Sequence, residues 1–287
     1  MDSDTNQINL DDVAAILFEE FDRPSTMSPK AFYKLTYFIN KNLLSRGYET
    51  DIDYFWYKYG TMTATAGSSI TIEPSGERSE VLCSTTLDEI SITSETEKEI
   101  RSVTREVLQE YERLKTEGLT ERMYKDAPYD FQREYRKLDT TIQTEIQVHG
   151  ENETEFDRET IRGQVNDFID AFPEEEFSEY LNDLYLWYDL LSTTLDDNSV
   201  NVGQVEDIAE IFWTIIMLDL GTGPETGIGP KEFARELGID DPYDLQGYLS
   251  YRLQQLEGEH LKIEQPPDFT AEAADAVMVS QLDFAEI

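Results

Sequence analysis

Apolar positions in the first sixty residues change period, and the change predicts two kinds of element. From Ser28 onward, Phe32, Leu35, Ile39 and Leu43, joined by Tyr33, Phe38 and Leu44, recur at three- and four-residue steps, which predicts an amphipathic helix. Ser28 can accept from the first-turn N–H groups, and Pro29 stands where a missing N–H costs nothing. Gly47, just after Arg46, is placed for a left-handed C-terminal cap. From Asp51 the pattern becomes extended: Tyr54, Phe55, Trp56, Tyr57 and Tyr59 predict an aromatic strand that Gly60 ends in a turn. Ahead of this stretch, polar residues expected to fray lead to Asn9 or Asp11 as the cap of a helix on Val13, Ile16, Leu17 and Phe21, broken at Asp22-Arg23-Pro24. Behind it, small polar residues from Thr61 lead to the alternating Ser69-Ile70-Thr71-Ile72. A turn at Glu73-Pro74-Ser75-Gly76 would let Val81-Leu82-Cys83 pair back in a small antiparallel sheet.

The remainder reads as helix. Ser94 with Glu97 forms a capping-box pattern ahead of Ile100, Val103, Val107, Leu108, Tyr111 and Leu114, and Gly118 is expected to end that helix. Short helical turns from Leu119 to Lys125 follow, then a helix from Phe131 to about Ile146 with Tyr135, Leu138 and Ile142 on one side. The wholly polar His149-Gly150-Glu151-Asn152-Glu153 suggests a boundary. Helices over Glu155–Phe172 and Glu174–Leu195 are broken at Pro173. The second is aromatic nearly all round, so it is buried between layers or covered by a partner. From Val205 the order is helix to Leu220, the loop Gly221–Gly229, helix Pro230–Leu237, Gly238, helix Pro242–Leu256 and a short strand at His260-Leu261-Lys262-Ile263. That order, with Phe233-Ala-Arg-Glu-Leu-Gly-Ile239, resembles a winged helix-turn-helix. Its recognition helix would offer Gln246, Tyr248, Tyr251, Arg252 and Gln255 to DNA, with a single Arg and no Lys. The alternative is a three-helix interaction module that touches no nucleic acid. The predicted fold is mainly α (α+β): residues 1–148 a helical domain with a small antiparallel sheet, 149–204 a helical connecting region, and 205–287 a winged-helix-like module with an acidic tail.

Charge alters this picture more than length does. Among 287 residues, 61 acidic against 23 basic side chains leave a net charge of −38, spread along the chain and interleaved with apolar positions. Hydrophobic content of 39% is enough for real cores, so the acidity is not the signature of disorder. An even acidic coat suits molar salt, where screening shortens to a few ångströms and self-repulsion falls. A halophile is therefore expected. A nucleic-acid mimic, with its carboxylates gathered on one face, is the rival. Nucleic-acid binding would need high salt, because affinity at low salt comes from Lys and Arg neutralising phosphates. One cysteine, Cys83, excludes an internal disulfide framework. No leader-like segment opens the sequence, and no apolar run approaches the roughly 18 residues of a membrane span. A soluble cytoplasmic protein without membrane attachment is expected.

One stretch carries a resemblance to a known family. The helix with Lys34, Leu35, Tyr37 and Phe38, then Gly47, then Asp51, Asp53 and Tyr54, then Lys58, Tyr59 and Gly60, is similar to the Panacea domain, the SocA-like group of phage-associated proteins and antitoxins. Thr61 stands where that family usually has proline. A second block agrees in order: Val107 to Tyr111, Gly118-Leu119-Thr120, and Ala127-Pro128-Tyr129. Together they cover roughly residues 10–140. The resemblance implies a non-enzymatic protein-protein interaction module, antitoxin-like or phage-defence-associated, and the acidic charge adds the expectation of a halophilic archaeon or its virus. Its partner would be a toxin or defence component, covered sterically by exposed Trp56, Tyr57 and Tyr59 acting as aromatic anchors. A DNA-binding regulator working through the C-terminal module, and a structural or viral component, are the alternatives.

Chemistry-bearing motifs are sparse. Two histidines, His149 and His260, and one cysteine offer no ligand spacing, so neither metal nor cofactor is expected. Asp51 and Asp53 share one side of an extended segment, a poor basis for a cation site in a chain with 61 acidic residues. Gly221–Gly229 is glycine-rich but follows a helix and lacks the closing Gly-Lys-Ser/Thr of a phosphate loop. No G-x-S-x-G elbow appears, and no catalytic residue is assigned.

Overall fold

A computed structural model describes residues 7–21, 27–58, 60–75 and 78–260. The chain is mainly helical with small sheets, as its apolar periods predict. Its contacts form two compact units, each drawn from two stretches of sequence. Among described residues, the first holds those up to Met123 together with Gly221–Asp240, and the second holds Tyr124–Leu220 with the residues from Asp241 onward.

In the first unit, β1 (Ile8–Asn9) leads into α1 (Leu10–Glu20), capped by Asn9, whose side chain and that of Asp12 exchange bonds with each other's backbone N–H. Helix α2 (Pro29–Ser45) begins on Ser28, whose Oγ accepts from Ala31 N. It ends in a Schellman motif: Gly47 at φ 84° donates to Leu44 O, and Tyr48 donates to Leu43 O. Strand β2 (Thr50–Asp51) pairs parallel with β1. Strand β3 (Tyr54–Tyr57) pairs antiparallel with β4 (Gly60–Thr63), an element where only small polar residues were legible. β5 (Ile70–Ser75) and β6 (Arg78–Cys83) form the expected second hairpin, in the register Ile70↔Cys83 to Ser75↔Arg78. Helix α3 (Ser94–Tyr124) is capped one residue earlier than expected, by Thr93, whose Oγ1 accepts from Thr96 N. It breaks at Lys115 (φ 58°, ψ −175°), three residues before Gly118. Buried Val13, Ile16, Phe32, Leu35, Phe38, Phe55, Val103 and Leu119 make the core of this unit.

The second unit is a helical bundle: α4 (Asp130–His149), α5 (Arg158–Ala171), α6 (Leu181–Asp196) and most of α7 (Val202–Thr222), with α9 (Pro242–His260) after α8 (Pro230–Leu237). An aromatic cluster fills it. Tyr135 stacks on Trp213 at 4.0 Å and 9°, while Phe168 meets Phe131, Trp187 and Phe212 edge-on. Trp187 is fully buried and donates its indole N–H to Ile208 O at 2.9 Å. The side of α6 that carries Leu184, Trp187, Leu190 and Leu191 is thus covered inside this chain, while Tyr185 is 46% exposed.

The division by contacts differs from the sequence boundaries. Residues 149 and 204 both fall inside the second unit, and 205–260 does not form a unit of its own. Helix α8 belongs to the first unit because its apolar Phe233 packs on aromatic rings of β3, whereas α9 belongs to the second. The helix pair of the expected winged module is therefore split. The expected strand at 260–263 has its first residue in α9, and the rest of that strand, with the acidic tail and Tyr59, lies outside the described residues.

Candidate functional site

Strand alternation sends β3 side chains to two faces. Phe55 and Tyr57 face α8, where their rings lie 5.3 and 5.7 Å from that of Phe233. On the other face, Tyr54 packs edge-on against Tyr37 and donates to Thr36 O at 2.9 Å. The edge of β3 is occupied as well: Trp56 N donates to Thr226 O. That carbonyl belongs to the glycine-rich loop, which is further tied down by Gly227 N to Gly223 O and Ile228 N to Gly221 O. The loop braces a strand. Gly221 is required for close approach, since a Cβ there would lie 2.0 Å from a ring carbon of Phe233.

These contacts correct the expected anchors. Trp56 and Tyr57 are buried, at 7% and 9% exposure, and cannot serve as projecting interface residues. For Tyr57 the cause is α8, contributed by a segment some 170 residues downstream, whose Phe233 packs on its ring.

The same packing leaves a cavity of about 350 Å³ within the first unit. Its walls come from the first two turns of α2, the β3–β4 hairpin, the β5–β6 hairpin and the end of α8. Lys30, Lys34 and Lys58 line it, against one carboxylate, Glu236. Lys34 and Lys58 are 3% and 7% exposed. Glu236 is engaged with the β4–β5 loop, accepting from Thr65 N and Oγ1 at 2.9 and 3.0 Å and from Ala66 N. Tyr33 and Tyr57, with Met62, Ile72 and Leu237, give the cavity its apolar surface. Burial, reinforced by Glu236, pushes the Tyr33 hydroxyl up, so Tyr33 stays neutral. Gly60, at φ 105°, lets Lys34 come close: a Cβ there would lie 2.9 Å from Lys34 Nζ and 2.7 Å from Met123 Sδ.

In the sequence, Lys34, Lys58 and Gly60 belong to the stretch that carries the family resemblance and show no chemical role of their own. The available signal was Lys34 itself, a cation set among Phe32, Leu35 and Phe38 on the apolar side of a helix in a strongly acidic chain. Lys58 and Glu236 carried no comparable signal, since a hairpin and a distant helix bring them there.

On α9, the five expected DNA contacts are dispersed in role. Gln246 points inward, donating to Ile215 O at 3.0 Å and Tyr180 OH at 3.1 Å. Gln255 donates to Tyr251 OH, and the Arg252 charge acts on Asp207. Tyr248 is half-buried, and Tyr251 is exposed at 40%. With Tyr243 at 55% and the exposed Gly247 and Gln254, Tyr251 makes a stripe along one face of α9, bordered by the exposed Asp244.

Among the described residues, no group of three or more His, Cys, Asp or Glu side chains is arranged to hold a metal ion, and no helix is long and apolar enough to cross a membrane. Comparison with family models, curated proteins and solved structures gives no match to this chain.

Proposed function

We propose that this chain is a non-enzymatic protein-binding module, antitoxin-like or otherwise tied to phage defence, working in the cytoplasm of a halophilic archaeon or in a virus of one. The observation that carries the reading is the α9 stripe. In a chain of net charge −38, Tyr243 and Tyr251 stand exposed two helical turns apart on one face of α9, with Asp244 exposed beside them. Exposed tyrosines at low side-chain entropy cost are what interface hot spots are built from, and they take over the role first expected of Trp56 and Tyr57. The resemblance of residues 10–140 to the Panacea domain supplies the antitoxin part of the reading, and the acidic coat supplies the halophilic part. The mechanism is steric: a partner seated on the tyrosine stripe has its own working surface covered.

Co-expression with the adjacent reading frame tests this. The intact chain is expected to restore growth and to form a complex in molar KCl, while the double variant Tyr243→Asp, Tyr251→Asp binds at least tenfold more weakly with an unchanged thermal midpoint. No complex with the neighbouring product, or equal binding by the double variant, overturns the proposal.

A further inference from the structure

We infer that the exposed face of α9 takes an arginine side chain of a basic partner, its guanidinium seated over Gly247 between Tyr243 and Tyr251. This rests on reading the stripe as an interface, and it names the chemistry of what the stripe meets. Gly247 lies four residues after Tyr243, three after Asp244 and four before Tyr251. Positions at these spacings are neighbours on a helix surface, about 5–6 Å apart. Glycine is unfavourable inside a helix, and the fold has no need of it here. Gly247 does not adopt a positive φ, and a Cβ added there would meet nothing within 4 Å. The missing side chain therefore clears space on the outside of the chain, as a notch with a tyrosine on either side.

What lines the notch selects its occupant. Tyr243 and Tyr251, 55% and 40% exposed, offer ring faces, and Gln255 holds the second ring by donating to its hydroxyl at 3.1 Å. A guanidinium stacks on such faces better than an ammonium does, because it is planar and more weakly hydrated. Asp244, exposed at the edge, supplies a carboxylate for paired N–H bonds. Among the described residues no basic side chain pairs with Asp244. Glu257, also exposed, adds a second negative charge to the border of the face. Helix α9 has no lysine, and the charge of its one arginine, Arg252, acts on Asp207 in α7.

Net charge points the same way. A chain at −38 attracts a cationic surface and repels an acidic one, a second copy of itself included. Molar salt screens this long-range attraction, whereas stacking and paired bonds at contact distance survive it better.

The full chain, with its tyrosine rings carbon-13 labelled, is titrated in 2 M KCl with three helical peptides that differ only at four positions, spaced four residues apart and filled by arginine, lysine or citrulline. Spectra of Tyr243→Phe and Tyr251→Phe assign the two ring signals. Saturable shifts of both are expected with the arginine peptide, which binds about fivefold or more tighter than the lysine or citrulline peptide. Gly247→Leu fills the notch and is expected to weaken arginine binding roughly tenfold, while its thermal midpoint stays level or rises because leucine favours helix. Three results overturn the inference: no saturable shift with the arginine peptide, equal affinity for the lysine or citrulline peptide, or undiminished arginine binding by Gly247→Leu. If the complex with the neighbouring product is still lost in Tyr243→Asp, Tyr251→Asp, any of the three removes the guanidinium assignment and leaves the interface standing.

Discussion

Glu206 shows how single residues in this protein answer to their surroundings. It is half-buried in α7, accepts from Gln143, and has Glu210, Asp207 and Asp139 nearby. Burial first, then these like charges, push its carboxyl up to about 7. A carboxyl that holds its proton more tightly folded than unfolded stabilises the fold fully below its unfolded value near 4.5, and that contribution is lost as pH rises through 7. Glu206→Gln keeps an acceptor for Gln143 and removes the charge. It is expected to stabilise the protein by about 1–2 kcal/mol at pH 8, after allowance for solvent screening, and to change little at pH 5. Urea titrations at the two pH values check this, and an equal effect at both would contradict the assignment. Glu20 behaves in the opposite sense: its bonds to Arg105 and then Arg101 hold its carboxyl below the usual range, so its contribution is lost on acidification.

At the scale of elements, local rules placed most ends correctly and failed where packing decides. Ser28, Asn9 and Gly47 terminate helices as their side chains and backbone freedom dictate. The break in α3 falls instead at Lys115, a residue with no local preference for φ 58°. Gly118, the expected terminator, remains helical, and since a Cβ there would lie 2.8 Å from Leu114 Cβ, glycine serves clearance at that position. Lys115→Gly relieves the strained backbone and is expected to raise stability by about 1 kcal/mol, read as a higher urea midpoint at unchanged slope. A lowered midpoint would show that the lysine side chain matters more than the backbone. The β3–β4 pairing was half legible: aromatics marked β3, but Gly-Thr-Met-Thr gave β4 no alternation strong enough to see.

For the whole molecule, the governing quantity is charge. Ion pairs such as Arg46 with Glu99 and Glu106, and Arg101 with Glu20 and Glu97, use basic residues that are in short supply. Most carboxylates therefore depend on solvent ions for screening. Thermal midpoints are expected to climb steadily as KCl rises from about 0.1 to 2 M. A midpoint indifferent to salt would contradict the reading of the acidic coat as an adaptation to brine.

By itself the sequence determined the helical character of the chain, the cap of α2, the β5–β6 hairpin and the acidic charge, because each depends on residues close in sequence or on a simple sum of charge. Only the tertiary structure decided that Phe233 covers the aromatic strand, that the last described helices belong to different units, and that Lys30, Lys34 and Lys58 share a cavity with Glu236. The physical reason is that burial is non-directional: an apolar face shows that it must be covered, and nothing local says by which distant segment. Tyr57 turned inward because α8 supplied that cover, and the charged cavity is the space left where the covering elements meet.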